Sequence, residues 1–575
     1  MALEHRARGA YLGLPPMALP KTSGRAWLLL AALTVLLAIP RLWGTQGGLP
    51  AQTEPDGLVI ATQAQILRTG ADPGEERLLW GFYPHLTARL AALQAGPRPV
   101  EGLSAQRREA SRGYGSVRET SAWLSLLIVP LSYLLARRWL EERMALLVAG
   151  LSGASLLHLW FAVQARPHAL LAVLALASVL AALSYASRPG FLRLVLLSVL
   201  CGLALGTLAN GLFTLLPALV ALYCAHGFKG WWRALVLAGI AGSLAAAFHP
   251  FALASGAATG PALGLENGQF LLFGHRIDLA LFRGAGFLEL AGSLWRYDLW
   301  LAVLAILAIA LSFFGPRERI ERRELWIVLA FVIPYLLVFG LYGRTYQRFL
   351  LPLLPFVALY IGWSLSAFSR ARWIVFGALA PQLLLSLQFA RLHAAPTTID
   401  EASEWVAREL DPARDRIAFL PSFELPLPYS SAALERNAVM LDNPQRPWFR
   451  YQKALAPRLR VQPGYDLTAF ALDGAENFRR AQSDTQAWLA ELSADYFVVE
   501  VYSDGRKPLA LANIHPTLPA LATRVARFAP GGAAQTDNWP LAYSDDEYPH
   551  KKIWALELLR AERLGPVIEI WKRGS

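Results

Sequence analysis

The chain has 575 residues, of which 55% are hydrophobic and 17% charged, and its formal net charge is +12. Its mean hydropathy is +0.36. A soluble globular chain of this length rarely has such a composition, so the sequence predicts an integral membrane protein and disfavours a soluble one.

Long apolar segments recur between residues 26 and 391. Judged against the roughly 20 apolar residues that a spanning helix needs, they predict about eleven membrane spans. The first segment could alternatively be a secretory signal, but no small-residue cleavage site follows it, which favours a retained helix. The predicted spans lie near residues 26–43, 121–137, 143–161, 168–186, 191–208, 211–227, 232–253, 296–314, 325–342, 349–367 and 372–391.

Basic residues are concentrated in every second loop between these spans. The short intervening loops hold only Arg166, Arg344 and Arg348. Because cytoplasmic loops are enriched in Lys and Arg, this bias predicts an N-terminus inside and a C-terminus outside. It also accounts for the net charge, so no nucleic-acid partner is predicted. The basic loops hold Arg137, Arg138 and Arg143; Arg188 and Arg193; Lys229 and Arg233; Arg317, Arg319, Arg322 and Arg323; Arg370 and Arg372.

Two predicted outside segments, residues 44–120 and 254–295, are too long to be simple turns. Long connections of this kind often carry function. The first contains two segments with helical spacing, Leu58–Thr69 and His85–Gln94, which we predict to be helices lying on the membrane surface. We therefore expect a membrane domain over residues 1–393.

Hydropathy falls sharply after Arg391, and residues 394–575 are predicted to form an extracytoplasmic α/β domain. We expect the aromatic segment Trp448–Tyr451 to be exposed, and we hypothesise that the domain covers the active-site mouth or selects the acceptor. The pattern predicts helices over Ile399–Leu410, Thr485–Leu492 and Leu509–Arg527, and strands over Arg416–Leu420, Ala438–Leu441, Tyr496–Val501 and Val567–Trp571.

The acidic residue best placed for chemistry is Asp56, a short distance beyond the first span. A carboxylate near the outer membrane surface could act as a general base on a hydroxyl group. The alternative is that Glu54-Pro55-Asp56-Gly57 is only a polar turn, since Pro, Asp and Gly are common turn residues. Spacing alone leaves both interpretations open.

A set of short motifs follows in a fixed order along the membrane half. It consists of Glu54-Pro55-Asp56, Gly70-Ala71-Asp72-Pro73, Phe82-Tyr83-Pro84, Tyr133–Arg138, Gln164–His168 and Arg348–Pro355. Together these motifs resemble the glycosyltransferase-C superfamily, which includes protein O-mannosyltransferases and aminoarabinose transferases of lipid A. The resemblance implies a polytopic helical fold and an inverting sugar transfer on the outer face. It also implies a polyprenyl-phosphate sugar donor and a hydroxyl acceptor, which could be a glycolipid, a polysaccharide or a protein.

Carried onto this chain, the resemblance makes Asp56 the catalytic base. Arg344 and Arg348 are candidates for holding the lipid phosphate, because guanidinium groups match phosphate oxygens; the alternative is that both are interfacial anchors. His275 and Arg276 could contact the donor head group, although an ordinary surface role is also open. The other candidate substrate-binding residues are Glu54, Tyr83, His85, Arg166 and His168.

The chain departs from the superfamily pattern at two positions. Gly57 stands where many relatives have a second acid, and His168 stands where an acid commonly follows Arg-Pro. Glu54 could substitute for one of them. His168 could supply a hydrogen bond or titrate near neutral pH, or it could simply cap a helix. The sequence shows no metal-site spacing, so neither a metal nor a cofactor is predicted.

The sequence predicts a multi-pass protein of the bacterial plasma membrane that is in contact with membrane lipids. Two other classes remain open: a lipid or saccharide transporter or flippase, and a non-catalytic assembly protein that keeps the fold without the chemistry.

Overall fold

The computed structural model describes residues 22–51, 54–70, 83–249, 269–272, 275–312, 321–368, 370–419, 423–440, 446–455, 464–469, 479–481, 483–501, 514–531 and 555–574. Helices dominate up to residue 394, and a sheet domain follows. Among the described residues, seven helices are long and apolar enough to cross a membrane, or up to nine if each of two bent helix pairs is one span. The chain is therefore a polytopic helical membrane protein with a C-terminal sheet domain.

Within the described residues, each apolar segment predicted to span the membrane is mostly helical, while the number of crossings and their orientation stay predictions. The helices are α1 (Gly24–Trp43), α2 (Pro55–Thr69), α3 (Leu86–Ala92), α4 (Leu103–Ser125), α5 (Ile128–Ala136), α6 (Glu142–Ala154), α7 (Leu156–Ala162), α8 (His168–Ser187), α9 (Phe191–Leu205), α10 (Leu215–His226), α11 (Trp231–Phe248), α12 (Ala285–Tyr297), α13 (Leu299–Leu311), α14 (Arg322–Leu341), α15 (Leu354–Leu365) and α16 (Ala371–Ala394). A 3₁₀ segment, Gln347–Leu353, leads into α15, and a two-stranded antiparallel hairpin, β1 (Gln269–Leu272) and β2 (His275–Asp278), precedes α12.

The described residues of the segment 44–120, the first of the two predicted to lie outside, are largely helical. The two predicted helices within it are α2 and α3. The helix that enters the second predicted span begins at Leu103, well before residue 121. Its first turns carry polar residues that spacing alone assigned to a loop, and they are held by packing against α2 and α3.

The side chain of Asp298 links two bent pairs of helices in the membrane half. It lies between α12 and α13, which meet at 119°, and Ser155 lies between α6 and α7, which meet at 52°. The Asp298 carboxylate accepts hydrogen bonds from Ser155 Oγ and Leu156 N, both at 2.7 Å, and from the Gln382 amide. It therefore caps the start of α7, where the unpaired N–H groups of a helix favour a negative charge.

The C-terminal domain contains a five-stranded mixed sheet in the order β4-β3-β5-β7-β6. β3 is parallel to β4 and β5, whereas β7 is antiparallel to β5 and β6. Its elements are α17 (Thr398–Glu409), β3 (Arg416–Phe419), α18 (Ser431–Met440), α19 (Pro447–Leu455), β4 (Asp466–Ala469), α20 (Thr485–Glu491), β5 (Tyr496–Glu500), β6 (Ala522–Phe528) and β7 (Ile568–Arg573). The predicted α/β class is thus confirmed for the described residues.

Three local predictions for this domain are wrong. Residues 438–440 end helix α18 instead of forming a strand, while Leu441 lies outside the described residues. Residues 522–527 form strand β6 instead of a helix, because pairing with β7 overrides their local preference. Trp448, Phe449 and Tyr451 are buried, and the Trp448 indole donates to Leu427 O at 2.7 Å.

Glu424 connects the C-terminal domain to the membrane half. Its backbone N–H donates to Ala51 O at 2.9 Å, and its carboxylate accepts from the N–H groups of Trp448 and Phe449 at 3.2 and 3.0 Å. The side chain therefore caps the start of α19, which packs against α4. Burial raises the pKa of Glu424 from 4.5 to about 7, although Arg446 and the two N–H groups act in the opposite direction.

We expect a Glu424→Gln substitution to flatten the pH dependence of stability. Because the pKa of Glu424 is higher in the folded chain, the folded state binds more protons between pH 4.5 and about 7. The contribution of Glu424 to stability is thus greatest below pH 4.5 and is lost as the pH rises through about 7. Thermal unfolding in detergent at pH 5 and pH 8 measures this; equal pH slopes for both proteins would contradict the assignment.

Candidate active site

Asp56 lies in the first turn of α2. Pro55 opens this helix, where a missing backbone N–H costs nothing, and Gly70 ends it in a left-handed conformation with φ of 65°. The partial positive charge at a helix start favours a carboxylate there. The polar-turn interpretation of residues 54–57 is therefore wrong: these residues start a helix that presents Asp56.

The Asp56 carboxylate lies between two guanidinium groups. Its Oδ2 is 3.5 Å from Arg166 Nη2 and 3.6 Å from Arg348 Nη1. Arg166 comes from the segment between α7 and α8 and is fully buried, and Arg348 comes from the 3₁₀ segment before α15. Two cations against one anion leave an excess of positive charge at a largely buried position.

The same oxygen is buried and accepts no hydrogen bond from the described residues. Both of its ion contacts exceed the ~2.7–2.9 Å of a tight charged hydrogen bond. The side chains of Asp56 and Arg348 are 12% and 14% exposed, so part of each lies at the surface of the cluster. The guanidinium of Arg348 also lies 4.6 Å from the Tyr346 ring centroid, which holds it in place.

Tyr83 supports the carboxylate from the segment before α3. Its hydroxyl is hydrogen-bonded to Asp56. Burial, and then the negative charge of Asp56, raise the pKa of Tyr83 well above its usual value. The hydroxyl therefore stays protonated and donates, which fixes the orientation of the carboxylate.

Two of the three candidate histidines, His168 and His85, have side chains in the described part of the structure. His168 begins α8, lies within the electrostatic reach of Arg166 and Arg348, and packs against the Phe161 ring. Its Nδ1 atom is buried and has no hydrogen-bond partner within the described ranges. His85 precedes α3 and is buried, and its backbone N–H donates to Phe248 O at 2.6 Å. His168 thus faces the cluster, whereas the backbone of His85 anchors the loop.

Glu54 is held in a buried network that sequence reasoning missed. Arg118 Nη2 contacts Glu54 Oε1 at 2.8 Å, and the Tyr114 hydroxyl hydrogen-bonds to Glu54 Oε2. Arg118 also donates to Gly47 O at 2.7 Å. The network ties the start of α2 to α4 and to the end of the first span. Arg118 carried no sequence signal, because it lies in a polar stretch that was assigned to a loop.

Gly57 leaves no room for the second acid of the related motif. A Cβ atom there would lie 1.9 Å from the Tyr114 hydroxyl oxygen and 3.0 Å from Ala165 Cβ. Tyr114 therefore occupies the space that a side chain at position 57 would need. In this chain a second carboxylate, Glu54, is hydrogen-bonded to the same Tyr114 hydroxyl and is paired with Arg118.

The structure does not place the other three predicted substrate-binding residues in this cluster. Arg344 is exposed in the turn before the 3₁₀ segment. His275 and Arg276 lie on β2, paired in register with Leu272 and Leu271, and their side chains lie outside the described part of the structure. The motif residues Asp72, Pro73 and Phe82 also lie outside it. Within the described ranges, no group of three His, Cys, Asp or Glu side chains is placed to hold a metal ion.

Apolar helices and a C-terminal sheet domain define a polytopic membrane protein, and its described part holds a largely buried carboxylate between two arginines. No protein-family model matches the chain, and no curated protein matches it. Among solved structures it is similar to ArnT from Cupriavidus metallidurans bound to undecaprenyl phosphate, with 14% identity, a TM-score of 0.46 and coverage of 88% of this chain and 97% of that chain.

Two further structures are similar to this chain. One is the arabinofuranosyltransferase AftD from Mycobacteria, with 16% identity, a TM-score of 0.43 and coverage of 96% of this chain and 40% of that chain. The other is the oligosaccharyltransferase AglB from Archaeoglobus fulgidus in complex with an inhibitory peptide and a dolichol-phosphate, with 12% identity, a TM-score of 0.45 and coverage of 89% and 74%. The structural neighbours are membrane glycosyltransferases, the class that the sequence motifs resemble. Identities of 12–16% and TM-scores below 0.5 do not carry the function of these proteins over to this chain.

Proposed function

We propose that this chain is an inverting glycosyltransferase that moves a sugar from a polyprenyl-phosphate donor to a hydroxyl acceptor at the outer face of a bacterial plasma membrane. The observation that carries the proposal is the position of Asp56 Oδ2, which is buried, accepts no hydrogen bond from the described residues and is flanked by Arg166 and Arg348. Transfer from a phosphate needs a base for the acceptor and cations for the leaving group, and this cluster supplies both.

The proposed reaction is a single displacement. The acceptor oxygen attacks the anomeric carbon of the donor while its proton passes to Asp56 Oδ2. The bond between the anomeric carbon and the phosphate oxygen breaks, and its electron pair leaves with the lipid phosphate. One bond forms and one breaks at the same carbon from opposite sides, so the configuration inverts.

Arg348 and Arg166 have the proposed role of stabilising the negative charge of the departing phosphate. A guanidinium group matches two phosphate oxygens and keeps its charge when buried. Both distances to Asp56 exceed those of a tight charged hydrogen bond, so neither contact with Asp56 has to be broken at great cost when a phosphate binds. Tyr83 holds the carboxylate in place during the transfer.

The charge bias of the sequence supports an outer-face reaction. Asp56, Arg166 and Arg348 come from three segments that the bias assigns to the outer side, and they meet in one cluster. A cluster there would draw its donor from the outer leaflet, and an extracytoplasmic C-terminal domain would lie on the same side.

A transporter is not favoured, although two helix pairs are bent and Asp298 lies at one of the bends. Broken helices with an ionisable group at the break are found in transporters. The Asp298 carboxylate, however, is already engaged by Ser155, Leu156 N and Gln382. It therefore serves to join helices.

The proposal is tested by incubating the purified protein in nanodiscs with a panel of polyprenyl-phosphate pentoses and hexoses, together with candidate glycolipid, polysaccharide and protein acceptors. Release of free polyprenyl phosphate, measured by mass spectrometry, together with a product of inverted configuration, is the expected result. Retention of configuration would contradict a single displacement.

Arg348→Gln is expected to weaken polyprenyl-phosphate binding about 10- to 100-fold, because a hydrogen bond to a charged group contributes about 1.5–3 kcal/mol. Arg344→Gln is the matched control, since Arg344 lies four residues away but is exposed. Equilibrium binding of polyprenyl phosphate measures both variants. Equal losses would place the phosphate at the membrane surface and not beside Asp56.

A further inference from the structure

A groove runs between helices α5, α8 and α9 of the membrane half and has a volume of about 420 Å³. Its walls are mainly apolar and include Leu134 of α5 and Leu196 of α9. Three arginines also line it: Arg138 follows the end of α5, and Arg188 and Arg193 lie where the chain turns from α8 into α9. The groove is therefore apolar along its walls and cationic at one end.

The apolar part of the groove is as long as one leaflet of a bilayer is deep. On α8 the lining begins at Ala177, continues through Leu180 and Ala181, and reaches Ser184 and Ser187 at the end of the helix. The helix rises about 15 Å over this stretch, at about 1.5 Å per residue. That is half of the ~30 Å hydrocarbon core of a bilayer, which is the depth available to an acyl chain of one leaflet.

The start of α14 brings two carboxylates to the cationic end, and both are engaged. Glu324 pairs with Arg138 and also accepts a hydrogen bond from the Trp139 indole at 2.7 Å. Glu321 contacts Arg323 Nε at 2.6 Å. The charge of Arg138 is therefore balanced within the protein, and we count only the other two arginines as charge that a ligand can use.

Arg188 and Arg193 supply the positive charge of the groove. Neither forms an ion pair with a carboxylate in the described part of the chain, and none of the described lining residues is acidic. Arg193 Nη1 donates to Arg188 O at 2.6 Å, so a neutral carbonyl oxygen orients this guanidinium group without balancing its charge. Arg188 is exposed, so its guanidinium group is accessible at the mouth of the groove. Guanidinium groups match phosphate oxygens, which makes this end suited to a phosphate.

The groove is separate from the cluster around Asp56. His168 begins α8 near that cluster, whereas Ser187 ends α8 at the groove. The 20 residues of this helix span about 30 Å. The cationic end of the groove thus lies about one hydrocarbon thickness from Asp56, on the side that the charge bias predicts to be cytoplasmic.

We propose that this groove binds a phospholipid with an anionic head group, whose phosphate lies beside Arg188 and Arg193 and one of whose acyl chains lies along α8. The inference does not depend on the proposed sugar transfer. A free phosphate ion would leave the apolar walls unused, and the lipid-linked donor has its proposed site at the opposite end of α8. The positive charge of the two arginines favours a net negative head group over a zwitterionic one.

The test measures lipid binding to the full chain in detergent by native mass spectrometry, with phosphatidylglycerol and phosphatidylcholine of the same acyl chains as probes. We expect phosphatidylglycerol to bind more tightly. Arg188→Gln and Arg193→Gln should each weaken its binding about fivefold, the effect of one basic side chain near an anionic head group. Arg143→Gln is the matched control, because Arg143 is an exposed arginine in the first turn of α6, on the same predicted side, and does not line the groove.

A further variant tests the apolar wall without changing any charge. Ala177→Phe places a ring in the groove about 15 Å along α8 from its cationic end. It should weaken phosphatidylglycerol binding at least as much as Arg188→Gln does, because the acyl chain loses its place along the helix. Thermal unfolding in detergent shows whether this variant keeps the fold of the wild type; if it does not, Leu180→Phe, which lies one turn nearer the arginines, replaces it.

Several results would overturn the assignment. Equal affinities for phosphatidylglycerol and phosphatidylcholine would remove the selectivity for an anionic head group. Equal losses in Arg143→Gln and Arg188→Gln would show a general effect of surface charge, and unchanged binding in a folded groove-filling variant would place the lipid elsewhere. Tighter binding of undecaprenyl phosphate than of phosphatidylglycerol, lost in Arg188→Gln, would give the groove to a polyprenyl lipid. A dimer that Ala177→Phe dissociates would give it to a second copy of the chain.

Discussion

An Asp56→Asn variant is expected to lose about 10²–10⁴-fold in turnover, the range that a positioned general base contributes. Asn has the shape of Asp but cannot take up the acceptor proton. It can still accept a hydrogen bond from Tyr83, so the surrounding geometry is preserved. Turnover is measured as release of polyprenyl phosphate in nanodiscs.

A measurement of donor binding distinguishes two causes of lost turnover in Asp56→Asn: loss of the general base and loss of the folded site. Arg166 and Arg348 remain in this variant, and removing a negative charge beside them should leave polyprenyl-phosphate affinity equal or higher. Asp278→Asn is the matched control, since Asp278 lies in the segment 254–295, which is also predicted to be outside, and accepts a hydrogen bond from Ala280 N. Turnover of Asp56→Asn at the wild-type rate would remove Asp56 from the mechanism.

Gly57→Ala is expected to damage both stability and activity. The added Cβ would lie 1.9 Å from the Tyr114 hydroxyl oxygen and 2.8 Å from its Cζ, separations at which atoms overlap. Relief requires either that Tyr114 moves and loses its hydrogen bonds to Glu54, or that α2 moves and carries Asp56 with it. Overpacking of this kind costs about 1–3 kcal/mol, and a shift of about 1 Å at a reacting group costs about a hundredfold in rate.

Gly113→Ala is the control for this substitution. Its Cβ would lie 3.6 Å from Pro97 Cδ, an ordinary contact, and Gly113 lies inside helix α4. Alanine is favoured over glycine in a helix interior by about 1 kcal/mol, so stability should be unchanged or higher. Thermal unfolding and turnover are measured for both variants. A stable and fully active Gly57→Ala protein would show that α2 is not packed against Tyr114 in the membrane.

The site was only partly accessible to sequence reasoning. Asp56, Arg166, Arg348, Tyr83 and His168 could be nominated because each lies in a short motif. The sequence could not show that these residues lie close together, because whole helices separate the motifs. Arg344 and Arg348 carried the same sequence signal, yet Arg348 contacts Asp56 and Arg344 is exposed. That difference depends on how the 3₁₀ segment directs its side chains.

The sequence by itself determined that the chain is a helical membrane protein with a C-terminal α/β domain, because apolar length and alternating hydrophobicity are local properties. Only the tertiary structure decided which charges meet. Arg118 pairs with Glu54, Tyr114 fills the space at Gly57, and β6 is a strand because β7 lies beside it. Each of these depends on partners distant in sequence, and the favourable energy arises only when burial brings them within a few ångströms.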